Sequence, residues 1–363
     1  MKPFALLVGG LSPDTFVSFF NASGGGGALS LTFNSSAFGA GPSFLALPPS
    51  RAFAYVANHG GAAPGLTSVS LTWSSGAPQF AAALGRVPVP DPCHVALHPA
   101  GRHVFTASYA EGSVTVCPLA ADGSALAPLR TLSLGLNAHQ VVFAGAGGRF
   151  AFVPLLGSDS IAQLVFNSGD GALEVNAAGG AAQLPAGSGP RHLAFHPSLP
   201  VAYALCERSN EVAPLAFDAA AGTLAFGGGA LSTLRGGAPP AEVQAAADVL
   251  ISSDGRFLYA TNRARPFGAG ENSVAVFGID GASGALRGPL QWAAGGAGAA
   301  GGVNFPRHAA LVPLPGELYL VVANQLGGSL SVFSRDAATG LLAHLSTAPS
   351  APTMAPSYVL PVV

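Results

Sequence analysis

The sequence predicts an all-β protein in which seven blades, each a four-stranded antiparallel sheet, form a closed β-propeller. A unit of two short apolar segments joined by a turn recurs every 46 to 60 residues, which is the period of a propeller blade with loops of varied length. The chain contains 49 Gly and 30 Pro, as expected where many turns join short strands. Apolar residues at helical spacing are nearly absent.

Six internal copies of the unit organise the chain, and each supplies the first two strands of a blade. In the second copy, for example, the apolar segments are residues 95–97 and 104–108. A third strand follows, such as residues 113–116, and a turn such as 170–173 leads into a fourth. The copies begin at Pro42, Pro92, Ala138, Pro190, Ala246 and Pro306.

The two ends of the chain are expected to complete the seventh blade, because residues 1–10 and 357–360 both have the character of strands. Pairing of these strands would close the ring and remove the exposed sheet edges that a weakly charged chain needs to avoid. The prediction is one propeller domain over residues 1–363, with the Ala/Gly-rich segment 293–302 as a mobile loop. The alternative, a pair of β-sandwiches, does not repeat at a fixed period.

Composition argues against several classes of protein. With 15 Lys+Arg against 17 Asp+Glu the formal net charge is −2, so neither nucleic acid nor a membrane surface is an expected partner. The three cysteines form no Cys-x-x-Cys pair, which favours neither a disulfide framework nor a zinc knuckle. No apolar run approaches the ~18 residues of a membrane span, and the N-terminal run is shorter than a secretory signal. These features predict a cytoplasmic protein.

Aligning the six copies brings polar side chains to one mouth of the central channel. The start of the first strand and the end of the second lie at the same mouth, because the two strands are antiparallel. The second residue of each copy is Ser43, Cys93, His139, Arg191, Ala247 or Arg307. The third residue is Phe44, His94, Gln140, His192, Asp248 or His308. The residue that follows the second strand is His59, Tyr109, Leu156, Glu207, Arg263 or Gln325.

Such a concentration of Arg, His and carboxylates indicates a functional pocket, since only 9% of the chain is charged. Guanidinium groups bind carboxylates and phosphates or stabilise charge on a carbonyl oxygen, and a carboxylate with a histidine can perform acid and base catalysis. The predicted catalytic residues are His139, Arg191, Glu207 and Arg263. The predicted substrate-binding residues are His94, Tyr109, His192, Asp248, Arg307, His308 and Gln325.

Structural interpretations of the same residues remain open. The histidines of the third column can hydrogen-bond the neighbouring blade, and Arg191 with Glu207 can form a buried ion pair. No cofactor is expected, although His94, His192, Asp248 and His308 leave open a divalent cation in the channel. The sequence has no Gly-x-Ser-x-Gly motif, no zinc-ligand spacing and no Gly-rich phosphate cradle beside the arginines.

Several motifs in successive copies carry a resemblance to a known family. They are PCHVALHP at 92–99, LGSD at 156–159, GPRHLAFHP at 189–197, SDGRFLYATNR at 253–263 and FPRH at 305–308. With these motifs the chain resembles, over nearly its whole length, the seven-bladed lactonase propellers. That family includes the propeller-type 6-phosphogluconolactonases and the carboxy-cis,cis-muconate cyclases.

The muconate-cyclising branch of the family implies an active site of one His, two Arg and one Glu, which match His139, Arg191, Arg263 and Glu207. The sequence departs from the family pattern beside this histidine. Asn137 stands where a first histidine is common, and Gln140 stands where a small residue is usual.

The leading hypothesis is a lactonase that hydrolyses a sugar lactone of the aldono type. Arg191 and Arg263 would bind the carbonyl oxygen or an anionic substituent, Glu207 would activate water, and His139 would protonate the departing ring oxygen. The alternatives are a carboxy-cis,cis-muconate-type lactonizing cycloisomerase and a non-enzymatic propeller scaffold. The expected partner is a small-molecule lactone or carboxylate, and the protein is expected to be a monomer or a homodimer.

Overall fold

The computed structural model describes residues 4–11, 17–23, 28–61, 63–74, 77–236, 243–265, 270–293, 302–315, 318–350 and 355–362. Over these residues the regular secondary structure is almost entirely β-strand, with three short 3-10 turns at Ser36–Phe38, Ala146–Gly148 and Leu156–Ser158. The strands form seven antiparallel sheets, which confirms the predicted seven-bladed propeller. None of the helical turns in the described residues has the length or hydropathy needed to cross a membrane.

The strand bounds follow the predicted repeat closely. The first fifteen strands are β1 (Phe4–Gly10), β2 (Val17–Ser23), β3 (Ala28–Ser35), β4 (Pro42–Ala46), β5 (Phe53–Asn58), β6 (Gly65–Ser74), β7 (Ala77–Val87), β8 (Pro92–Leu97), β9 (His103–Ser108), β10 (Ser113–Pro118), β11 (Arg130–Ser133), β12 (Val142–Ala144), β13 (Phe150–Leu155), β14 (Ser160–Asn167) and β15 (Ala172–Val175). The others are β16 (Ala181–Gln183), β17 (Pro190–Phe195), β18 (Val201–Cys206), β19 (Glu211–Asp218), β20 (Thr223–Phe226), β21 (Leu231–Ser232), β22 (Gln244–Ile251), β23 (Phe257–Ala264), β24 (Ser273–Ile279), β25 (Leu286–Ala293), β26 (Pro306–Leu311), β27 (Tyr319–Asn324), β28 (Ser329–Arg335), β29 (Leu342–Pro349) and β30 (Pro356–Val362).

Blades 1 to 6 are sheets whose strands are consecutive in the chain. Blade 1 comprises β4 to β7, and blade 6 comprises β26 to β29. Blade 7 has the order β3-β2-β1-β30, so strands from both ends of the chain close the ring as predicted. In that closure Leu7 pairs with Leu360 and Val8 with Val359. Blades 3 and 4 each carry an additional short strand, β16 and β21.

The core lies between neighbouring blades. Central strands are buried along their whole length, because both faces of a blade pack against the next blades, and this explains their continuous apolar segments. Between blades 2 and 3, for example, Phe105 and Val114 pack with Val153 and Leu164. The His-Pro motifs lie away from the pocket residues and join blades: Nε2 of His98 bonds to the Gly148 carbonyl.

A bulge at the start of the innermost strand directs side chains toward the channel. In blade 4, Pro190 pairs with Cys206 and His192 with Leu205, so Arg191 is an additional residue between two paired positions. Blades 1, 2, 5, 6 and 7 show the same interruption of their register. A bulged residue leaves the ladder and its side chain is turned relative to the regular alternation. The second and third columns of the repeat can therefore both face the channel.

The main departure from the predicted strands occurs in blade 3. Its innermost strand was predicted to include residues 141–143, whereas β12 covers only Val142–Ala144, and Ala138 is joined to Leu155 by an isolated bridge. Asn137 has a left-handed backbone with φ of 62°, which turns the chain just before the bridge. Of the predicted loop at 293–302, residues 294–301 lie outside the described residues.

Candidate active site

The predicted mouth of the channel contains a pocket. Six blades each contribute to the pocket lining the residue at the second position of the repeat. These residues are Ser43, Cys93, His139, Arg191, Arg307 and Ser357. His59, His192 and His308 also contribute to the lining. The bulges therefore bring together side chains that lie up to 314 residues apart in the sequence, as the pairing of Ser357 with the Ser43 carbonyl shows.

Glu207 is held by three arginines at this mouth. It follows β18, and its backbone N–H donates to the carbonyl of Gly189. Its Oε2 lies 3.0 Å from Nε of Arg191 and accepts a hydrogen bond of 2.8 Å from Nη2 of Arg263. Its Oε1 accepts a bond of 3.2 Å from Nη2 of Arg265. Arg191 and Arg263 are buried, whereas the Arg265 side chain is 41% exposed.

Arg191 is also oriented from its opposite side by two consecutive hydrogen bonds. Its Nη1 lies 3.2 Å from Nε2 of His192, and Nδ1 of His192 lies 2.7 Å from Oδ1 of Asp248. A guanidinium can only donate, so Nε2 of His192 accepts and its Nδ1–H donates to the carboxylate. Nη1 of Arg191 further donates to the Ala247 carbonyl. These contacts fix the guanidinium plane against the pocket.

Arg307 supplies a fourth guanidinium without a partner of its own. It occupies in blade 6 the position that Arg191 occupies in blade 4. Within the described ranges, no hydrogen bond or ion pair joins its guanidinium to another side chain. Burial and the charge of Arg263 lower the pKa of Arg307 to about 10, so the group stays charged at neutral pH. The residue is half-buried, and withdrawing an unpaired charge from water is costly, so this position is suited to an anionic ligand group.

His139 presents a buried imidazole to the same pocket. The residue is 7% exposed, and its Nδ1 has no hydrogen-bond partner in the part of the chain that the structure describes. Burial and the charge of Arg191 lower the pKa of His139 well below its ordinary value, so the ring is neutral at pH 7. The Tyr109 ring meets it edge-on, with centroids 5.9 Å apart. A neutral imidazole with a free nitrogen is able to accept a proton.

The two buried carboxylates are both ionised. Burial raises the pKa of Glu207, but the guanidinium groups of Arg263, Arg191, Arg307 and Arg265 outweigh this effect and the pKa is lowered. Burial likewise opposes ionisation of Asp248, whose pKa is nonetheless held well below its usual range by His308, by His192 and by the backbone N–H of Ala309. Neither carboxylate is therefore suited to accept a proton at neutral pH.

The structure brings together most of the predicted site residues. The residues that line the pocket are His139, Arg191, His192, Arg307 and His308. Glu207 is connected to the pocket by its ion pair with Arg191, and Arg263 by its ion pair with Glu207. Tyr109 is partly exposed beside His139. Gln325 follows β27, and its Oε1 has no hydrogen-bond partner among the residues described. His94 and Asp248 are buried and are not part of the pocket lining.

Third-column residues join neighbouring blades, as the structural interpretation expected. Nδ1 of His94 accepts from the N–H of Val141 in blade 3. Oε1 of Gln140 accepts from the N–H of Leu193 in blade 4. Nδ1 of His308 accepts from the N–H of Val359 in blade 7. Each of these contacts satisfies a backbone donor at a blade junction, so the residues have a structural role whether or not they also contact substrate.

Two further observations concern metals and nucleophiles. No cluster of three or more His, Cys, Asp or Glu within the described ranges has the arrangement of a metal site. Channel residues contact one another instead, with Asp248 placed between His192 and His308. Cys93 points its thiol at three backbone carbonyls, and burial raises the pKa of this thiol to about 12. The thiol is therefore protonated and is a poor nucleophile at neutral pH.

Two residues that contact Glu207 or Arg263, namely Arg265 and Phe305, were not among the predicted site residues. Arg265 follows Arg263 by two positions, just beyond the end of β23, and both side chains reach Glu207; the spacing of two was an available signal. Phe305 has a left-handed backbone with φ of 57°, where the equivalent residues are Gly41, Asn137 and Gly189. Its ring lies 5.2 Å from the Arg263 guanidinium carbon. A bulky residue in this conformation is strained by about 1–2 kcal/mol, and such strain is common at functional sites.

The buried histidines predict that the fold loses stability in mild acid. Burial lowers the pKa of His94, His139 and His308, and lowers that of His192 to about 4. Each binds fewer protons in the folded chain than in the unfolded chain, where the pKa is about 6.5. The free energy of unfolding therefore has its full value above about pH 6.5. It decreases as the pH falls toward the folded pKa, by about 1.4 kcal/mol per pH unit for each histidine.

Urea unfolding at several pH values between 7.5 and 4.5 measures this slope. The substitution His94→Gln is the matched variant, because Gln140 already fills the same column and accepts the equivalent backbone hydrogen bond. We expect the slope of the unfolding free energy against pH to be smaller in the variant by the contribution of one histidine, about 1.4 kcal/mol per pH unit. An unchanged slope in the variant would show that His94 does not titrate as its burial implies.

Comparisons with known proteins agree with the fold. The family model described as "Lactonase, 7-bladed beta-propeller" matches residues 5–360. The chain is 31% identical over 279 residues to the 6-phosphogluconolactonase of Bacillus subtilis strain 168, covering 72% of this chain and 71% of that protein. It is 35% identical over 175 residues to the 6-phosphogluconolactonase of Pectobacterium carotovorum, covering 47% of this chain and 50% of that one.

Among solved structures, the periplasmic gluconolactonase of Pseudomonas aeruginosa matches with a TM-score of 0.83 and 25% sequence identity. The match covers 100% of this chain and 99% of that one, so it includes the terminal strands that close the ring. Because the family model spans all seven blades and the relative from Bacillus subtilis covers more than two thirds of the chain, the assignment does not rest on the fold alone. The chain belongs to the seven-bladed β-propeller lactonase family.

Proposed function

We propose that the protein hydrolyses the δ-lactone of an aldonic acid, with a phosphorylated lactone such as 6-phosphoglucono-δ-lactone as its preferred substrate. Family membership and the activities named for its relatives support lactone hydrolysis. One observation carries the preference for phosphate, namely the positive charge of the pocket that no protein carboxylate neutralises. A second observation, the position of His139 in the pocket, supports a role for this residue in activating water.

The charge of the site is a direct count. The site contains Arg191, Arg263, Arg265 and Arg307 as cations and Glu207, Asp248 and Asp91 as anions, which gives 4 − 3 = +1 with the histidines neutral. A phosphate monoester carries about −1.5 to −2 at pH 7. A substrate with such a group compensates the buried positive charge, whereas an uncharged lactone leaves it uncompensated.

Attack on the lactone carbonyl requires a base that is unprotonated at neutral pH. His139 meets this requirement because its ring is neutral and lines the pocket. A water molecule held by the imidazole would transfer a proton to it as the oxygen bonds to the carbonyl carbon. A positioned base of this kind contributes about 10²- to 10⁴-fold in rate.

Guanidinium groups would stabilise the negative charge that develops on the carbonyl oxygen. Arg191 is held at Nε and Nη1, and Arg263 at Nε and Nη2, so each keeps one terminal nitrogen free of the described residues. The contacts fix both groups before substrate binds, and fixed donors in a buried site stabilise an oxyanion most effectively. The unpaired guanidinium of Arg307 is the group best suited to the phosphate.

These roles differ from the ones that the sequence suggested for Glu207 and His139. Glu207 was expected to activate water, but three guanidinium groups occupy its oxygens and lower its pKa. We assign it instead to positioning the arginines. His139 was expected to donate a proton, but its lowered pKa leaves it without one to give at neutral pH.

A pH-stat assay with 6-phosphoglucono-δ-lactone and glucono-δ-lactone, corrected for spontaneous hydrolysis, tests the proposal. We expect acceleration of both lactones and a higher kcat/KM for the phosphorylated one. The substitution Arg191→Lys keeps the positive charge but removes the planar fork that contacts Glu207, His192 and the Ala247 carbonyl. It should lower kcat by about 100-fold, the effect of losing one oxyanion donor.

Each part of the proposal has its own contradicting result. Equal kcat/KM for the two lactones would remove the phosphate preference and leave the lactonase. No acceleration of either lactone over buffer would overturn lactone hydrolysis. The carboxy-cis,cis-muconate-type cyclisation would then be tested next, since the same guanidinium groups are suited to a substrate with several carboxylates. A non-enzymatic scaffold fits poorly with a buried cluster of incompletely paired charges.

A further inference from the structure

Opening of a lactone ring releases an alkoxide, which is a poor leaving group unless a donor protonates it. In the proposed reaction His139 takes a proton from water, and a second group near the ring oxygen would protonate that oxygen without waiting for His139 to return the proton. We infer that His59, which lies beside Asp91 at the wall of the same pocket, is a further catalytic residue that protonates the departing ring oxygen. The inference rests on the proposed lactonase function and adds a residue to it.

His59 follows β5 in blade 1, at the position that Glu207 occupies in blade 4. It lines the pocket together with His139 and Arg307. Its backbone is fixed because its N–H donates to the Gly41 carbonyl, and a Cβ added to Gly41 would collide with the His59 carbonyl oxygen. The ring is therefore attached to a rigid part of the blade.

Asp91 faces the ring from the turn that precedes β8. Its Oδ1 lies 3.1 Å from Nδ1 of His59 and also accepts a hydrogen bond of 2.7 Å from the backbone N–H of Gly60. One carboxylate oxygen thus contacts both the ring and the adjacent backbone. With Nδ1 beside the carboxylate, the opposite nitrogen, Nε2, is the one left to serve the substrate.

The other titratable groups of the pocket are less suited to donate a proton. His139, His192 and His308 are buried, and their pKa values are lowered by that burial and by neighbouring positive charge. The thiol of Cys93 has a pKa raised to about 12 by burial. His59 differs in having a side chain that is 34% exposed, which opens it to exchange with solvent.

The complete step balances as follows. Water bonds to the carbonyl carbon through its oxygen and gives one proton to His139, which forms the tetrahedral oxyanion. The bond between that carbon and the ring oxygen then breaks, its electron pair stays on the ring oxygen, and that oxygen takes the proton from Nε2 of His59. The products are a carboxylic acid and a hydroxyl group. The acid ionises, His139 releases its proton, and His59 is reprotonated from solvent.

The test compares His59→Gln, Asp91→Asn and the control His344→Gln, all assayed against the parent on 6-phosphoglucono-δ-lactone. His344 is exposed on β29, so its substitution measures the effect of changing a histidine outside the site. We expect kcat of His59→Gln to fall by about 100-fold with KM nearly unchanged. Asp91→Asn should lose part of that rate, and the control should match the parent. Thermal unfolding of each variant confirms that it is folded.

Two further readouts separate proton donation from a structural role. In the parent, kcat should fall at high pH as the donor loses its proton, and that fall should vanish in His59→Gln. Added imidazole should restore part of the activity of His59→Ala. A folded His59→Gln with kcat within about threefold of the parent, a loss confined to KM, or a reduced kcat with an unchanged pH profile would overturn the inference. Activity in the parent separates these results from failure of the proposed lactonase, which would overturn both.

Discussion

Replacing His139 by Gln is expected to lower kcat for lactone hydrolysis by about 10²- to 10⁴-fold while changing KM little. Glutamine approximates the size of the ring and keeps a polar group in the pocket, but it cannot take a proton from water. The residue is 7% exposed and its Nδ1 has no partner among the described residues, so the substitution removes no hydrogen bond of that nitrogen. A loss of rate without a loss of stability would identify the imidazole as a reacting group.

The pH profile of the parent gives a second measure of His139. A general base must be unprotonated, so activity is retained above the pKa of the folded protein and lost as the pH falls through it. Burial and Arg191 lower that pKa, which places the acid limb of the kcat profile below the ordinary histidine value of about 6.5. The limb should be absent from the residual activity of His139→Gln. Wild-type rates in this variant, or an acid limb above pH 6.5, would contradict the assignment.

The fold was accessible from sequence because propeller blades repeat their physical requirements. Every blade needs two apolar central strands, which pack on both faces, and a turn between them. Variable loops altered the spacing but not the order of the apolar segments, so even the blade shared by β30 and β1 was predicted. The shortened β12 was not predicted, because the left-handed backbone of Asn137 is a property of local geometry that apolar pattern does not report.

Which side chains meet in the pocket was partly accessible for the same reason. Equivalent positions in a ring lie at equal distances from the axis, so aligned columns identified Arg191, Glu207 and Arg263 together. The main cause of their convergence, a bulge at the start of the inner strand in six of the seven blades, was not evident in the sequence. Without that bulge, the second and third columns would face opposite sides of the strand.

The chemical roles were the least accessible, because they depend on distances between blades. Sequence alone cannot tell that three guanidinium groups surround Glu207, yet that arrangement decides whether its carboxylate is a base or an anchor. The same holds for His139, whose protonation state follows from burial and from Arg191 in another blade. Residue types predicted a polar catalytic pocket, and three-dimensional electrostatics distinguished the groups within it.

Replacing Glu207 by Gln is expected to have the largest effect on stability, a loss of about 3 kcal/mol in the free energy of unfolding. The substitution keeps the shape of the side chain but leaves the guanidinium groups of Arg191, Arg263 and Arg265 without their shared anion. Removing one partner of a buried ion pair costs up to ~5 kcal/mol, and the 15% exposure of Glu207 favours the lower part of that range. Urea unfolding at pH 7.5 measures the loss.

Glu174→Gln is the matched control, since Glu174 is exposed on β15 and its substitution should change stability by less than about 0.5 kcal/mol. Inorganic phosphate provides the more specific test. In Glu207→Gln the anion can occupy the position left by the carboxylate, and a ligand that binds only the folded chain stabilises it. Phosphate should therefore stabilise the variant more than the parent. A variant as stable as the parent would show that the carboxylate does not hold the arginines together, and equal stabilisation of both proteins would show that Glu207 does not occupy an anion-binding position.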